Sequence, residues 1–342
     1  MQREFAVRDG DRSLTVAARK GLRALPGWRG KRPAARWQAK AYPTLLFVLA
    51  AAAFAQSGGP GSAGGIGVLK VQGNLYMLVG AGANVAAQVG NDGILVVDPG
   101  TGAMAKETAA ALRGLSPKPI SWVVDTSGDA DHTGGNAALP QAISGPGARP
   151  RIVAHENVLN RMSAATLGNQ EKVPDALWPN DEYFLPTKDF AFNGEAVVVY
   201  HVPAAHTDGD SIVHFRRSDV LATGDVFTPG RYPVIDVERG GTIQGMIDAV
   251  NLILRITVPL KYQEAGTYVI PGHGRLCDEA DVVEFRDMVT IVRDRVRDLK
   301  SKGMMLDAVK AARPTRDYDT EYNAGGADAF VEAIYKTLDA KK

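Results

Sequence analysis

The segments rich in Val, Ile and Leu come in two batches, and a helical pattern follows each batch. In the first, Val68–Val79 holds Gly73-Asn74 inside it, and Asn84–Val89 and Gly93–Asp98 flank the hairpin turn Asn91-Asp92-Gly93. An antiparallel meander is predicted there. Ala103–Leu115 then has apolar residues at helical spacing, Ile120–Val124 is a short apolar strand, and Arg151–Ala154 with Glu156–Met162 repeats the strand-helix order before a variable segment to Leu185. The second batch contains two hairpins, turning at Asn193-Gly194 and at Arg217-Ser218-Asp219. Helix Thr242–Ile256, strand Tyr268–Ile270 and the long helix Ala280–Lys302 follow. This order predicts an α+β chain built as a four-layer αββα sandwich, two sheets face to face with helices outside, whose loops converge at one edge.

The 342 residues suit one large domain with an added N-terminus. Residues 1–43 carry 11 Lys and Arg against Glu4, Asp9 and Asp11, a balance of +8 that leaves −7 for the remainder of a chain whose total is +1. The apolar run Leu45–Ala55 ends in Ala53-Phe54-Ala55, a pattern that signal peptidases accept, and is too short to span a bilayer comfortably. Residues 1–55 therefore read as a basic leader and signal peptide, 56–66 as a Gly- and Ser-rich linker, and 67–342 as the folded domain with C-terminal helices. A periplasmic or secreted protein is expected, with Gln56 as its mature start and no stable membrane insertion after cleavage. A basic patch lost on export gives no reason to expect nucleic acid as a partner; a small-molecule substrate is expected instead. The single cysteine, Cys277, rules out an intramolecular disulfide.

Four loops, each at the end of an apolar strand, carry the residues with chemical potential. They contain D-H-T-G-G-N at 131–136, P-A-A-H-T-D-G-D-S at 203–211, T-G-D at 223–225 and P-G-H-G at 271–274. In this order they make the chain resemble the metallo-β-lactamase superfamily over roughly residues 68–300, and "AHENVLNRM" at 154–162 resembles a helix start of its exported members. The resemblance implies one or two metal ions at the edge of an αββα sandwich. It implies Asp131, His132 and His273 as ligands of a second site, His206 as a ligand of a first, and Asp225 as the carboxylate between them. Asp98 matches a buried aspartate that shapes the metal loop.

The departure from the family pattern lies at Ser127 and Asp129, which stand where its motif has two histidines. A hydroxyl is a poor ligand, while Asp129 can serve either as a carboxylate ligand or as an added general base. Asp131, His132, His273 and Asp225 alone supply four donors of types that zinc accepts. One Zn²⁺ is therefore expected, and the carboxylate-rich first site favours a harder ion such as Mn²⁺ or Fe²⁺, or none. Asp129, Asp131 and Asp225 would repel one another without a cation.

What the resemblance implies is hydrolysis of an ester, amide or lactone by metal-activated water, with Asp131 orienting that water or accepting its proton. A non-catalytic binding protein that keeps one metal as a structural clip is the alternative, favoured by Ser127, and oxidation at a bound iron is a third. Arg231 and Tyr232, just after Asp225, are candidates for substrate contact, and Trp178 and Tyr183 for the pocket wall. His155 and His201 read as structural, His214 as facing solvent, and Cys277 as a small hydrophobe.

Overall fold

The computed structural model describes residues 65–164, 172–259 and 266–339. The leader, the apolar run 45–55 and nearly all of the 56–66 linker lie outside the described residues. Twelve strands form two sheets among the described residues. The first runs in the order β1 (Gly67–Lys70), β2 (Leu75–Ala81), β3 (Ala83–Gly90), β4 (Gly93–Val97), β5 (Ile120–Val124), β6 (Arg151–His155) and β7 (Asp181–Tyr183). Neighbours are antiparallel from β1 to β4 and parallel from β4 to β7. The second sheet has the order β12 (Tyr268–Ile270), β11 (Val220–Ala222), β10 (Ser211–Phe215), β9 (Glu195–His201) and β8 (Thr187–Phe192), with only the β11–β12 pair parallel.

Strand side chains alternate between two faces, and here both faces are covered. Leu95 and Val97 of β4 meet Val197, Val199, Val213 and Phe215 between the sheets. Ile94 and Val96 point the other way, onto α1 (Ala105–Leu115) and α3 (Ala138–Ser144). On the far side, Ile212, Leu221 and Val269 pack with Met246 and Val250 of α5 (Ile243–Ile256), Phe285 and Met288 of α6 (Glu279–Ser301), and Phe330 and Ile334 of α8 (Ala327–Thr337). The result is the expected four-layer αββα sandwich. Double-sided burial explains why β4 reads as an unbroken apolar run.

The differences from the sequence reading have local causes. Thr242 and Asp278 cap α5 and α6 from just outside, Asp278 in a capping box with Asp281. Strand β7, with sequence Asp-Glu-Tyr, has no apolar alternation and is defined by its pairing with β6. The short α2 (Ala130–Thr133), α3, α4 (Glu156–Ser163) and α7 (Leu306–Ala311) are the remaining α-helices among the described residues; of these only α4 was expected from periodicity. His214 is a correction. It is buried on the helical side of β10, with Nε2 3.8 Å from Asp219 Oδ1, because both faces of that strand are covered. No helix among the described residues is long and apolar enough to cross a membrane.

Candidate metal centre

Parallel pairing aligns the ends of β4 and β5 and those of β11 and β12, and the residues that follow these strands touch one another. Asp98, after β4, sits at φ 55° and is 2 % exposed. Its carboxylate accepts hydrogen bonds from the Thr126 amide (2.8 Å) and hydroxyl (2.6 Å), and lies 2.9 Å from His132 Nδ1. That contact turns His132 Nε2 toward Asp225 Oδ2, 3.4 Å away. Asp225 Oδ1 is 3.6 Å from His273 Nε2, which in turn is 3.1 Å from Asp131 Oδ2. Gly272 permits this approach: a Cβ there would stand 2.4 Å from Asp225 Oδ1.

Two groups result, with ligand atoms in each within 4.8 Å of one another: Asp131, His132 and His273 in one, Asp129, His206 and Asp225 in the other. His132 Nε2 and Asp225 Oδ1 are buried without a hydrogen-bond partner. Buried polar atoms are otherwise nearly always paired, so this orphaned donor set fits a cation. The local field fits one too. Burial disfavours a charged His132, yet the Asp98 and Asp225 carboxylates hold its pKa well above the ordinary histidine value. Burial likewise opposes a charged His206, while Asp210, with help from Asp225 and Asp129, lifts it to about 9. Asp225 is pushed up by burial but brought down to about 2 by its histidine neighbours, His132 first. The His273 hydrogen bond, foremost, holds the Asp131 carboxyl below its usual range. The carboxylates are thus held as anions and the imidazoles drawn to positive charge, so a cation entering the centre takes the place of the protons on its histidines.

Asp129 differs from the other acids. Its Oδ2 is 3.6 Å from His206 Nε2, but its Oδ1 is 2.5 Å from Arg239 Nη1. Ser127 is buried, and its hydroxyl accepts the Asp129 amide at 3.3 Å, shaping the turn. The cation read from the sequence, Arg231, is exposed and unpaired among the described residues, while Arg239, eight residues on, reaches the centre. No spacing rule marks Arg239; the basic residue before Gly240-Gly241 was its only signal.

Tyr232 is a correction as well. Its ring stacks on Tyr322 and Phe330, and its hydroxyl is shared between the Thr315 carbonyl and Asp319, so it serves the C-terminal core instead of substrate. Tyr183 is buried with its hydroxyl on Ser211, and the Trp178 indole donates to the Val173 carbonyl. His155 caps α4 and stacks on His201 with ring centroids 3.5 Å apart. Cys277 lies in the core, where burial pushes its thiol pKa up.

The comparisons agree with this architecture. A search of curated proteins found no match. Among solved structures, the sec-alkylsulfatase Pisa1 from Pseudomonas sp. is 19% identical with a TM-score of 0.57, covering 81% of this chain and 51% of its own, so the chain spans about half the length of that enzyme. A metallo-beta-lactamase from Pontibacter korlensis is 15% identical over 66% of this chain and 99% of its own, and DIM-1 metallo-beta-lactamase 18% over 66% and 97%, each with a TM-score of 0.50. Such identities speak for the fold alone. The sequence model of the metallo-beta-lactamase superfamily matches residues 78–273, from β2 through the last of the four loops, and a match over more than half of its length means that the chain belongs to that superfamily.

Proposed function

We propose that the protein is a metal-dependent hydrolase that cleaves an ester, amide or lactone bond of a small molecule, with one ion held by Asp131, His132, His273 and Asp225. The observation that carries this is the pair of buried, unpartnered atoms, His132 Nε2 and Asp225 Oδ1, beside the half-exposed Asp131 and His273. Two imidazoles and two carboxylates suit Zn²⁺. Such an ion supplies Lewis acidity and lowers the pKa of water to about 7. The chain's own residues do the rest. Asp98 fixes the ring of His132, and Asp225 spans the two histidines. Asp131 is the most exposed of the three central acids, its side chain 39% accessible against 23% for Asp129 and 17% for Asp225. Placed at the open side of the centre, its carboxylate would orient the attacking water or accept its proton. The signal-like leader supports action outside the cytoplasm.

Ser127 supports a second reading, a binding protein whose ion is only a clip, because its hydroxyl serves the Asp129 turn. Turnover separates the two. Zinc-loaded protein is expected to hydrolyse a member of a p-nitrophenyl ester and lactone panel, to stop on chelation, and to lose at least about a hundredfold in Asp131→Ala. Firm ion binding with no turnover across the panel favours the clip; equal turnover in Asp131→Ala removes Asp131 from the mechanism.

A further inference from the structure

Arg239 pairs with one of the three residues, Asp129, His206 and Asp225, that could hold a second ion. Its Nη1 contacts Asp129 Oδ1 at 2.5 Å and its Nε lies 3.3 Å from Asp236 Oδ2, while Asp129 turns its other oxygen to His206. The loop holding it is firmly seated. The Arg239 carbonyl accepts from the Asp208 amide (3.0 Å) and from Arg161 Nη2 (2.7 Å), and Arg161 also pairs with Asp208. The Asp236 amide donates to the His206 carbonyl at 2.9 Å and the Thr242 amide to the Ala204 carbonyl at 2.8 Å. Gly241 lies so close to the His206 loop that a Cβ would come within 2.2 Å of the His206 carbonyl oxygen. The segment 236–242 is thus laid directly on the loop that carries His206, and Arg239 is set beside Asp129 of the group formed by Asp129, His206 and Asp225.

We propose that the Arg239 guanidinium replaces the first metal ion, closing that position to a cation and leaving a centre of one metal ion and one built-in charge. A guanidinium cannot be deprotonated in a protein, and its planar donors match a carboxylate. It neutralises Asp129 and meets any divalent ion at the same carboxylate with a fixed like charge at close range. Ser127 then has no ligand to replace, and the turn it shapes presents Asp129 to the arginine. The unpaired Nη2 edge of Arg239, which is about half exposed, remains able to donate to an oxygen of the substrate.

This rests on the assignment of the other ion to Asp131, His132, His273 and Asp225, and the test keeps the two apart. Zinc per chain is measured by elemental analysis after equilibrium dialysis against Zn²⁺, with calorimetric titration of the same proteins. Arg239→Ala is expected to hold one ion more than wild type, and Arg239→Ala/Asp129→Ala to return to the wild-type number. Arg239→Lys, which keeps the charge and disturbs the loop less, is expected to stay at the wild-type number. Two ions in the wild type, or no gain in Arg239→Ala with its thermal melt intact, would overturn the proposal. Should Arg239→Ala fail to fold, a gain in Arg239→Gln decides for it and none decides against. A wild-type stoichiometry unchanged by Asp131→Ala refutes the assignment of the other ion and leaves the Arg239 comparison standing.

Discussion

Asp98 occupies the left-handed region of backbone space, which a residue other than glycine enters only when its surroundings hold it there. Three contacts do so, two from Thr126 and one from His132, and the last of them sets which ring nitrogen of His132 faces Asp225. Asn tolerates the same backbone conformation but loses the charge that orients the ring. Asp98→Asn is therefore expected to weaken zinc binding about 10- to 100-fold with little change in thermal melting, measured by competition with a chromophoric chelator. An unchanged affinity would show that His132 is oriented by packing alone. At this scale the sequence was legible wherever a side chain sits inside a compact motif, as at Asp131, His132 and His273. It was not legible where the deciding neighbour arrives from another loop. Asp129 looked like a free carboxylate because its partner lies 110 positions away, and Tyr232 looked like a substrate contact because nothing local announces Thr315 and Asp319.

Among the elements, the strands with clean alternation or an apolar run were legible from periodicity, while β7 and α2 exist through pairing and loop geometry that no local pattern carries. The junction of α4 with β9 illustrates how elements from the two sheets are joined. His155 ends β6 and caps α4 by accepting the Asn157 amide at its Nδ1, a role open only to the neutral ring, and it stacks on His201 at the end of β9. Burial, then the neighbouring His201, depress its pKa to about 4. An unfolded histidine titrates near 6.5, so between these values the unfolded chain binds the extra proton. The stabilisation is fully present above about pH 6.5 and fades as the pH falls toward 4, a loss on the order of 1–3 kcal/mol. In His155→Asn, which keeps a good cap without a titrating ring, the fall in melting temperature from pH 7 to pH 5 is expected to shrink. An identical fall in both proteins would assign the acid sensitivity to other groups.

For the molecule as a whole, the two-batch order of strands made the sandwich readable, whereas the C-terminal helices were expected without bounds for α8, which its packing against α5 and α6 makes part of the core. The proposed ligands come from both sheets, Asp131 and His132 after β5 and Asp225 and His273 after β11 and β12, so these side chains meet only once the sheets have docked. An ion that binds the folded chain alone adds about 4 kcal/mol at a thousandfold excess over its dissociation constant. For a domain of this size, chelation is expected to lower the melting temperature by on the order of 10 °C, with Asp131→Ala insensitive to the chelator. A melt unaffected by chelation in the wild type would mean that the centre contributes nothing to holding the sheets together.

The contact between Arg239 and Asp129 also bears on what scarcity does to this protein. A charge carried by a side chain is inherited with the gene and arrives with every copy, while an ion must be collected from the surroundings. When zinc runs short, a centre relying on two ions is left with acids facing acids. Here the chain supplies a cation of its own beside Asp129, so on the proposed one-ion reading the starved protein would keep a partly neutralised cleft that a single atom restores.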